Sequence, residues 1–294
     1  MRNVLLKIKQ YSIYIYSQKD KFWLIVWLGI LAITFIWNIL FLNKPALRLI
    51  IDGFLNTLYI SILVVIFSFI LGWIIGLVVV RFESSPFQLP YFLLTFVLNL
   101  IRSIPQIVGI LIGYIGITYL ITANIVNNAW LIMTTMALVI SLFIFNEVID
   151  LIRERINHFK KLDFYNAMKV CGISENRIIN FDILWKNSRI HILNKLIAIF
   201  GSAIFLQCTI DFIVSVGLST QVSAVSLPTT LGSLLAKIDS KQDILAIGNT
   251  LMNPSYFSHI FFEHLQGVTV AFLIVFTLLS VYKISNGFSE RNRL

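Results

Sequence analysis

Charged residues are scarce in this chain. They make up 13% of its 294 residues, whereas soluble domains average about 25%. Hydrophobic residues account for 58% of the sequence, and the mean hydropathy is +0.86. This composition excludes an ordinary soluble globular domain and indicates a polytopic membrane protein.

Cysteine and histidine are also rare. The two cysteines, Cys171 and Cys208, fall in a predicted loop and a predicted span, which excludes a disulfide framework. Among the four histidines, only His259 has a metal-like spacing, to Glu263, and no third ligand lies near it in sequence. We therefore expect no metal site on this chain.

Sequence motifs for nucleotide binding and for nucleophilic catalysis are missing as well. The sequence lacks the pattern G-x-x-x-x-G-K-[ST], which cradles the phosphates of ATP. No serine or cysteine has a general base at a recognisable spacing. The sequence thus predicts no enzyme and no cofactor on this chain, and any ATP and Mg²⁺ would be bound by a partner chain.

Long apolar runs dominate what remains. A helix needs roughly 20 apolar residues to cross the hydrocarbon layer, and six runs reach about that length. The sequence predicts an all-α membrane protein with six transmembrane helices, near residues 22–42, 54–80, 89–121, 130–149, 192–216 and 267–284.

The basic residues are unevenly distributed between the two predicted sides. Of the 23 Lys and Arg residues, eighteen fall on the side that carries both termini and the loop after the fourth run. Basic residues concentrate on the cytoplasmic side of membrane proteins, so this distribution predicts cytoplasmic termini. The net charge of +9 also suits anionic membrane lipid, and we expect no nucleic-acid binding.

The sequence divides into two parts. Residues 1–50 comprise an N-terminal amphipathic segment and the first transmembrane helix, and residues 51–294 form the core. The core contains a cytoplasmic loop at about 151–190 and an external loop at about 217–265.

The cytoplasmic loop contains the most informative stretch, which we name the 163–187 loop: DFYNAMKVCGISENRIINFDILWKN. Its pattern predicts a short helix over residues 164–171, a left-handed stop at Gly172 and a second helix capped by Ser174. It resembles the EAA loop of bacterial ABC-importer permeases, most closely the C-type subunit of the dipeptide, oligopeptide and nickel branch. The matching residues are Asp163, Phe164, Ala167, Gly172, Arg177, Ile178, Ile179, Ile183 and Leu184.

Three positions of this loop depart from the family pattern. Asn166 stands where the family has Glu, Met168 replaces the second Ala, and Trp185 replaces Pro. These departures favour a second hypothesis, a membrane scaffold or regulatory subunit that does not transport.

Two further stretches carry the resemblance. Residues 229–238, TTLGSLLAKI, resemble the P-S-W-G-S-M-L-A segment of the peptide and nickel branch. Residues 99–111, NLIRSIPQIVGIL, resemble a motif of permeases for methionine, phosphonates and polar amino acids. Another importer branch therefore remains open.

The resemblance implies a function and a set of partners. The chain would be a translocation subunit in the bacterial inner membrane, working with a second permease, two ATPase subunits and an extracytoplasmic solute-binding protein. The residues expected to couple to the ATPase are Phe164, Asn166, Ala167, Met168, Gly172, Arg177, Ile178 and Ile179. The resemblance also implies that the external loop, at Gly232 and Ser233, contacts the binding protein.

Polar residues inside the predicted spans mark a possible translocation path. Arg102, Gln207, Thr209 and Asp211 are its candidate residues, because charged groups within a membrane face a cavity, a partner charge or a pathway. Asp211 has two open interpretations, a place on the path or an interhelical pair. Pro105 is expected to bend the third span just after Arg102.

Overall fold

The structure, a computed structural model, describes residues 18–83, 85–218, 227–237, 248–262 and 265–292. Most of the predicted N-terminal amphipathic segment lies outside these residues. Helices and their connections make up the whole of the described chain. They are α1 (Lys19–Phe41), α2 (Lys44–Glu83), α3 (Leu89–Ser103), α4 (Gln106–Thr122), α5 (Ala129–Ile144), α6 (Asn146–Lys160), α7 (Asp163–Val170), α8 (Glu175–Arg177), a π-helix (Ile178–Asn187), α9 (Arg189–Leu218), α10 (Leu231–Leu235), a 3-10 turn (Pro254–Tyr256), α11 (Phe257–Phe262) and α12 (Leu265–Arg291).

Four helices are long and apolar enough to cross a membrane: α1, α2, α9 and α12. Two helix pairs pass the same test only together, and both pairs are bent. The angle is 95° between α3 and α4 and 45° between α5 and α6. The described chain therefore has four candidate spans, or up to six if each bent pair counts as one.

The predicted third span, residues 89–121, is not one helix. The backbone is non-helical at Ile104 and Pro105, with ψ of 124° and 127°, which separates α3 from α4. Proline has no N–H to donate and disfavours helical backbone in the residue before it. The predicted bend at Pro105 is thus confirmed, and it is a full break.

The longest helix, α2, organises the fold. Its 40 residues span about 60 Å at about 1.5 Å per residue, roughly twice the thickness of the hydrocarbon layer. It packs against α5, α6 and α9, and the predicted division at residue 50 lies inside it. A helix of this length can connect the membrane interior with the 163–187 loop.

Two glycines let α6 approach α2 closely. A Cβ at Gly72 would lie 2.8 Å from Cγ1 of Val148, and one at Gly76 would lie 3.3 Å from Cγ2 of Ile152. Small residues four apart allow this contact between helix backbones. This glycine pair is therefore a packing site between α2 and α6.

The two ends of the described chain lie side by side. Lys19 of α1 forms an ion pair of 2.6 Å with Glu290 of α12. At the opposite end of the same two helices, the Thr269 hydroxyl donates a hydrogen bond of 3.0 Å to the Asn38 side chain. The helices α1 and α12 are therefore antiparallel neighbours.

Candidate functional site

The 163–187 loop begins as predicted, with a short helix that stops at a glycine. Helix α7 ends at Val170, and Gly172 follows with a positive φ of 74°. A Cβ at Gly172 would meet nothing within 4 Å. The requirement for glycine here is therefore conformational, since only a residue without a Cβ adopts this backbone at low cost.

The second helix of the loop differs from the prediction. Ser174 occupies the N-cap position, but its side chain makes no capping hydrogen bond. After three α-helical residues the chain continues as a π-helix of ten residues. Within this π-helix, the Asn187 side chain donates a hydrogen bond of 2.7 Å to the carbonyl oxygen of Asp182. π-Helical segments are rare and are often found at functional sites.

Buried isoleucines hold the π-helix on the rest of the chain. Ile178 and Ile183 are 0% exposed, and Ile179 is 9% exposed. All three belong to the main hydrophobic core, together with residues of α2, α5, α6 and α9. The side chains of Ile178 and Ile179, two of the residues expected to couple to an ATPase, therefore anchor the loop internally.

The other side of the loop presents aromatic side chains to solvent. Trp185 is 64% exposed, Phe181 is 53% exposed and Phe164 is 39% exposed. Phe181 and Trp185 are four residues apart, so they project from the same side of their helix. We use the name aromatic face for these three exposed aromatic residues of the loop.

The remaining predicted coupling residues are distributed between surface and core. Asn166, Ala167 and Arg177 are exposed. Met168 is half-buried and packs against the main core. Ala167 is exposed, whereas Met168, the other apolar residue of these four, is partly covered.

A hydrogen bond joins the two helices of the loop across Gly172. The Tyr165 hydroxyl donates 2.6 Å to Oε1 of Glu175, and Lys160 and Lys169 lie 3.5 and 4.0 Å from the same carboxylate. The hydrogen bond from Tyr165 and the two lysines lower the pKa of Glu175. Burial, followed by the bond to Glu175, raises the pKa of Tyr165 to about 12.

Sequence reasoning missed this connection. Tyr165 and Glu175 are ten residues apart, which is no helical spacing. Their contact arises only from the turn at Gly172, so no local pattern reveals it.

The loop is also fixed to the helices that enter and leave it. The Arg155 side chain of α6 donates a hydrogen bond of 3.3 Å to the hydroxyl of Ser188, a fully buried residue that immediately precedes α9. Lys195 of α9 pairs at 2.7 Å with Glu147 of α6. A force applied to the loop would therefore reach α6 and α9 together.

A second polar group lies in the membrane part of the fold. The Tyr114 hydroxyl of α4 donates 2.9 Å to Asp211 of α9, and Ser61 of α2 donates 3.2 Å to Gln207. Asp211 is 3% exposed and Gln207 is 0% exposed. These four residues form a buried cluster that joins three helices, which favours the interhelical interpretation of Asp211.

The other two candidates for a translocation path lie elsewhere. Thr209 points away from the cluster and donates 2.8 Å to the carbonyl oxygen of Phe205. Arg102, at the end of α3, forms an ion pair of 2.6 Å with Asp150 of α6. The structure thus brings together Gln207 and Asp211 and separates them from Arg102 and Thr209.

The structure places Gly232 and Ser233, the residues expected to contact a binding protein, within the helical part of the fold. Gly232 is buried, and a Cβ there would lie 2.7 Å from the Cα of Cys208 and overlap its carbonyl oxygen. Ser233 is half-buried, and its hydroxyl and amide form a capping box with Thr230. Both residues therefore pack into the helical core instead of lying on an open surface.

Hydrogen bonds hold the surrounding residues, which we name the 227–237 segment. The Leu231 amide donates 3.0 Å to the hydroxyl of Thr57, and the Asn56 side chain donates 2.8 Å to the carbonyl oxygen of Thr229. Both partners belong to α2. The segment is thus clamped between α2 and α9.

The comparisons with known proteins leave the family undecided. No family model matches the sequence, and no curated protein sequence matches it significantly. Among solved structures, a crystal structure described as an amino acid ABC transporter with histidines is similar to this chain. The identity is 17% and the TM-score is 0.49, over 83% of this chain and 94% of that chain. A likeness at this level carries no argument about function, which therefore depends on the residues above.

Proposed function

We propose that this chain is a permease subunit of an ATP-driven solute importer. The observation that carries the proposal is the 163–187 loop. It is anchored by buried isoleucines, turned by a left-handed Gly172, and exposes an aromatic face. Its sequence resembles the EAA loop, and its shape suits docking into a groove of a partner.

The coupling mechanism follows from how the loop is attached. An ATPase subunit, holding ATP and Mg²⁺, would bind Phe164, Phe181 and Trp185. When two ATPase subunits close, the displaced loop would move α6 and α9, because Arg155 bonds to Ser188 and Lys195 pairs with Glu147. This chain supplies no chemistry of its own in that cycle.

The path for solute would run between this chain and a second permease. Helix α9 presents Phe205, Thr209 and Phe212 on one side, at helical spacing, and all three are at least partly exposed. Among the predicted path residues of α9, Thr209 is the one that remains accessible in this conformation. We expect the closed Asp211 cluster to hold the helices behind that surface.

The solute class is proposed from sequence resemblance alone. Residues 229–238 resemble the peptide and nickel branch, so we propose a peptide or nickel importer in the bacterial inner membrane. A solute-binding protein would deliver the solute on the side opposite the 163–187 loop. Both termini and the loop would then be cytoplasmic, with the basic residues beside anionic lipid.

Purification in mild detergent tests this function. We expect an ATPase and a second permease to copurify with the chain. Trp185→Ala should weaken the ATPase interaction, since exposed aromatic anchors often dominate interfaces. Trp130→Ala is the matched control, because Trp130 is 58% exposed and lies at the opposite end of the fold. Copurification of neither partner would contradict the proposal and favour a scaffold.

A further inference from the structure

A polar cavity lies between the loop end of α2 and the 163–187 loop. Its volume is about 670 Å³. Its apolar wall comes mainly from α2, and its polar wall comes from α2, the end of α6 and the 163–187 loop. The polar lining residues are Arg81, Lys160, Ser174, Glu175, Asn176 and Asn180.

The charges around this cavity do not balance. Glu175 is the acidic lining residue, and its carboxylate already faces Lys160 at 3.5 Å and Lys169 at 4.0 Å. Arg81 is exposed and has no ion pair with any residue that the structure describes. The one carboxylate and the three basic side chains together therefore carry an excess of positive charge. Arg81 is the basic residue of this group that has no acidic partner among the described residues.

The uncharged lining groups suit an anion that accepts several hydrogen bonds. The Ser174 hydroxyl makes no capping bond, and one N–H of the Asn180 side chain donates 3.0 Å to the carbonyl oxygen of Asn176. The second N–H of that amide forms no hydrogen bond with any residue that the structure describes. Arginine binds phosphate through its planar fork of donors, with charge-assisted hydrogen bonds.

We propose that this cavity binds a phosphate group, with Arg81 as its principal ligand. Two sources share this chemistry. One is the headgroup of an anionic phospholipid, because Arg81 lies at the end of a helix long enough to cross the membrane. The other is free phosphate from solution, because the cavity is open at the surface.

A phosphate group bound in this cavity would affect the 163–187 loop. Arg81 belongs to α2, whereas Ser174 and Asn180 belong to the 163–187 loop. A phosphate held by both elements would fix the loop against α2. Binding would therefore slow hydrogen exchange of the amides of residues 174–180, whether or not the chain couples to an ATPase.

Binding can be measured on the purified full chain in dodecyl maltoside, without any partner. One arm measures the affinity for radiolabelled inorganic phosphate by equilibrium dialysis. The other arm adds phosphatidylglycerol and counts the retained lipid by native mass spectrometry. Arg81→Gln removes the proposed ligand, Arg81→Lys keeps the charge without the fork, and Arg189→Gln removes an exposed arginine outside the cavity.

We expect wild type to bind at least one of the two probes. Arg81→Gln should weaken that binding roughly tenfold or more, as loss of one charged hydrogen-bonding group does. Arg81→Lys should be intermediate, and Arg189→Gln should match wild type. Binding of inorganic phosphate would identify the ligand as free phosphate from solution. Retention of phosphatidylglycerol without binding of inorganic phosphate would identify it as a lipid headgroup.

Three results would overturn the proposal. They are no binding of either probe to wild type, equal binding by wild type and Arg81→Gln, and equal weakening by Arg81→Gln and Arg189→Gln. None of them bears on the proposed transport function, because the assay contains no ATPase.

Discussion

The 163–187 loop and the 227–237 segment look alike in sequence and differ in the structure. Each is a short helical piece between long apolar helices, and each contains a glycine that matches a family pattern. The loop exposes an aromatic face, whereas the segment is buried between α2 and α9. A match to a family sequence pattern therefore identifies where a segment lies in the chain. Tertiary packing decides whether that segment is exposed.

The two glycines explain this difference. Gly172 has a positive φ and empty space where a Cβ would lie. No such φ occurs at Gly232, where a Cβ would overlap the backbone of Cys208. One glycine serves a turn at the surface, and the other serves close packing inside the fold.

Gly232→Ala should give the largest loss of stability. Its new methyl group meets backbone atoms of α9, which cannot rotate away, so we expect a cost of about 1–3 kcal/mol. The measurement is thermal unfolding in detergent. Gly116→Ala is the control, because a Cβ there meets nothing within 4 Å. Equal melting temperatures for the two variants would contradict the burial of the 227–237 segment.

Thr57→Val should give the next largest effect. It preserves side-chain shape but removes the buried hydroxyl that accepts a hydrogen bond from the Leu231 amide. A buried donor left without an acceptor costs about 1–3 kcal/mol of folding free energy. Thermal unfolding and protease cleavage within 227–237 provide the readouts. Thr118→Val, at an exposed hydroxyl, should leave both unchanged. Unchanged cleavage in Thr57→Val would show that this bond does not hold the segment.

Gly172→Leu should disturb the loop while leaving the membrane part intact. A left-handed conformation costs a residue with a Cβ about 1–2 kcal/mol, so the angle between the loop helices should change. In vesicles with the copurified partners, we expect ATP hydrolysis to continue without uptake. Gly172→Asn should retain more uptake, because asparagine tolerates this conformation better. Normal uptake by the leucine variant would refute the docking model.

Tyr165→Phe should give the smallest effect, confined to the loop. Wild type should show slower hydrogen exchange than the variant across residues 163–187, because the bond to Glu175 joins both helices. The Glu175 pKa is lowered in the folded loop, so its contribution is present above its unfolded pKa of about 4.3. That contribution is lost as pH falls through the lowered folded pKa. Protection that is equal in both proteins at pH 7 would contradict this account.

Local chemistry explains which features the sequence predicts. Pro105 breaks the third run because proline lacks an N–H, and Gly172 turns the loop because it lacks a Cβ. Gly72 and Gly76 lie four residues apart on one side of α2 and let α6 pack closely against it. Each of these effects depends on one residue or on one helical spacing.

Tertiary packing decides the features that the sequence does not predict. Ile178 and Ile179 could face a partner or the core, and only the fold shows that they lie in the core. The Tyr165–Glu175 bond, the Asp211 cluster and the burial of Gly232 each join elements distant in sequence. The π-helix follows no proline or glycine signal within Ile178–Asn187, and we have no sequence account of it.

Site-specific photo-crosslinking tests the central claim most directly. A photoreactive amino acid is placed at Phe181, on the aromatic face, and separately at Ser233 in the 227–237 segment. The account predicts that illumination of intact membranes joins position 181 to an ATPase subunit and that position 233 gives no such product. An ATPase adduct at neither position, or at position 233 alone, would contradict it.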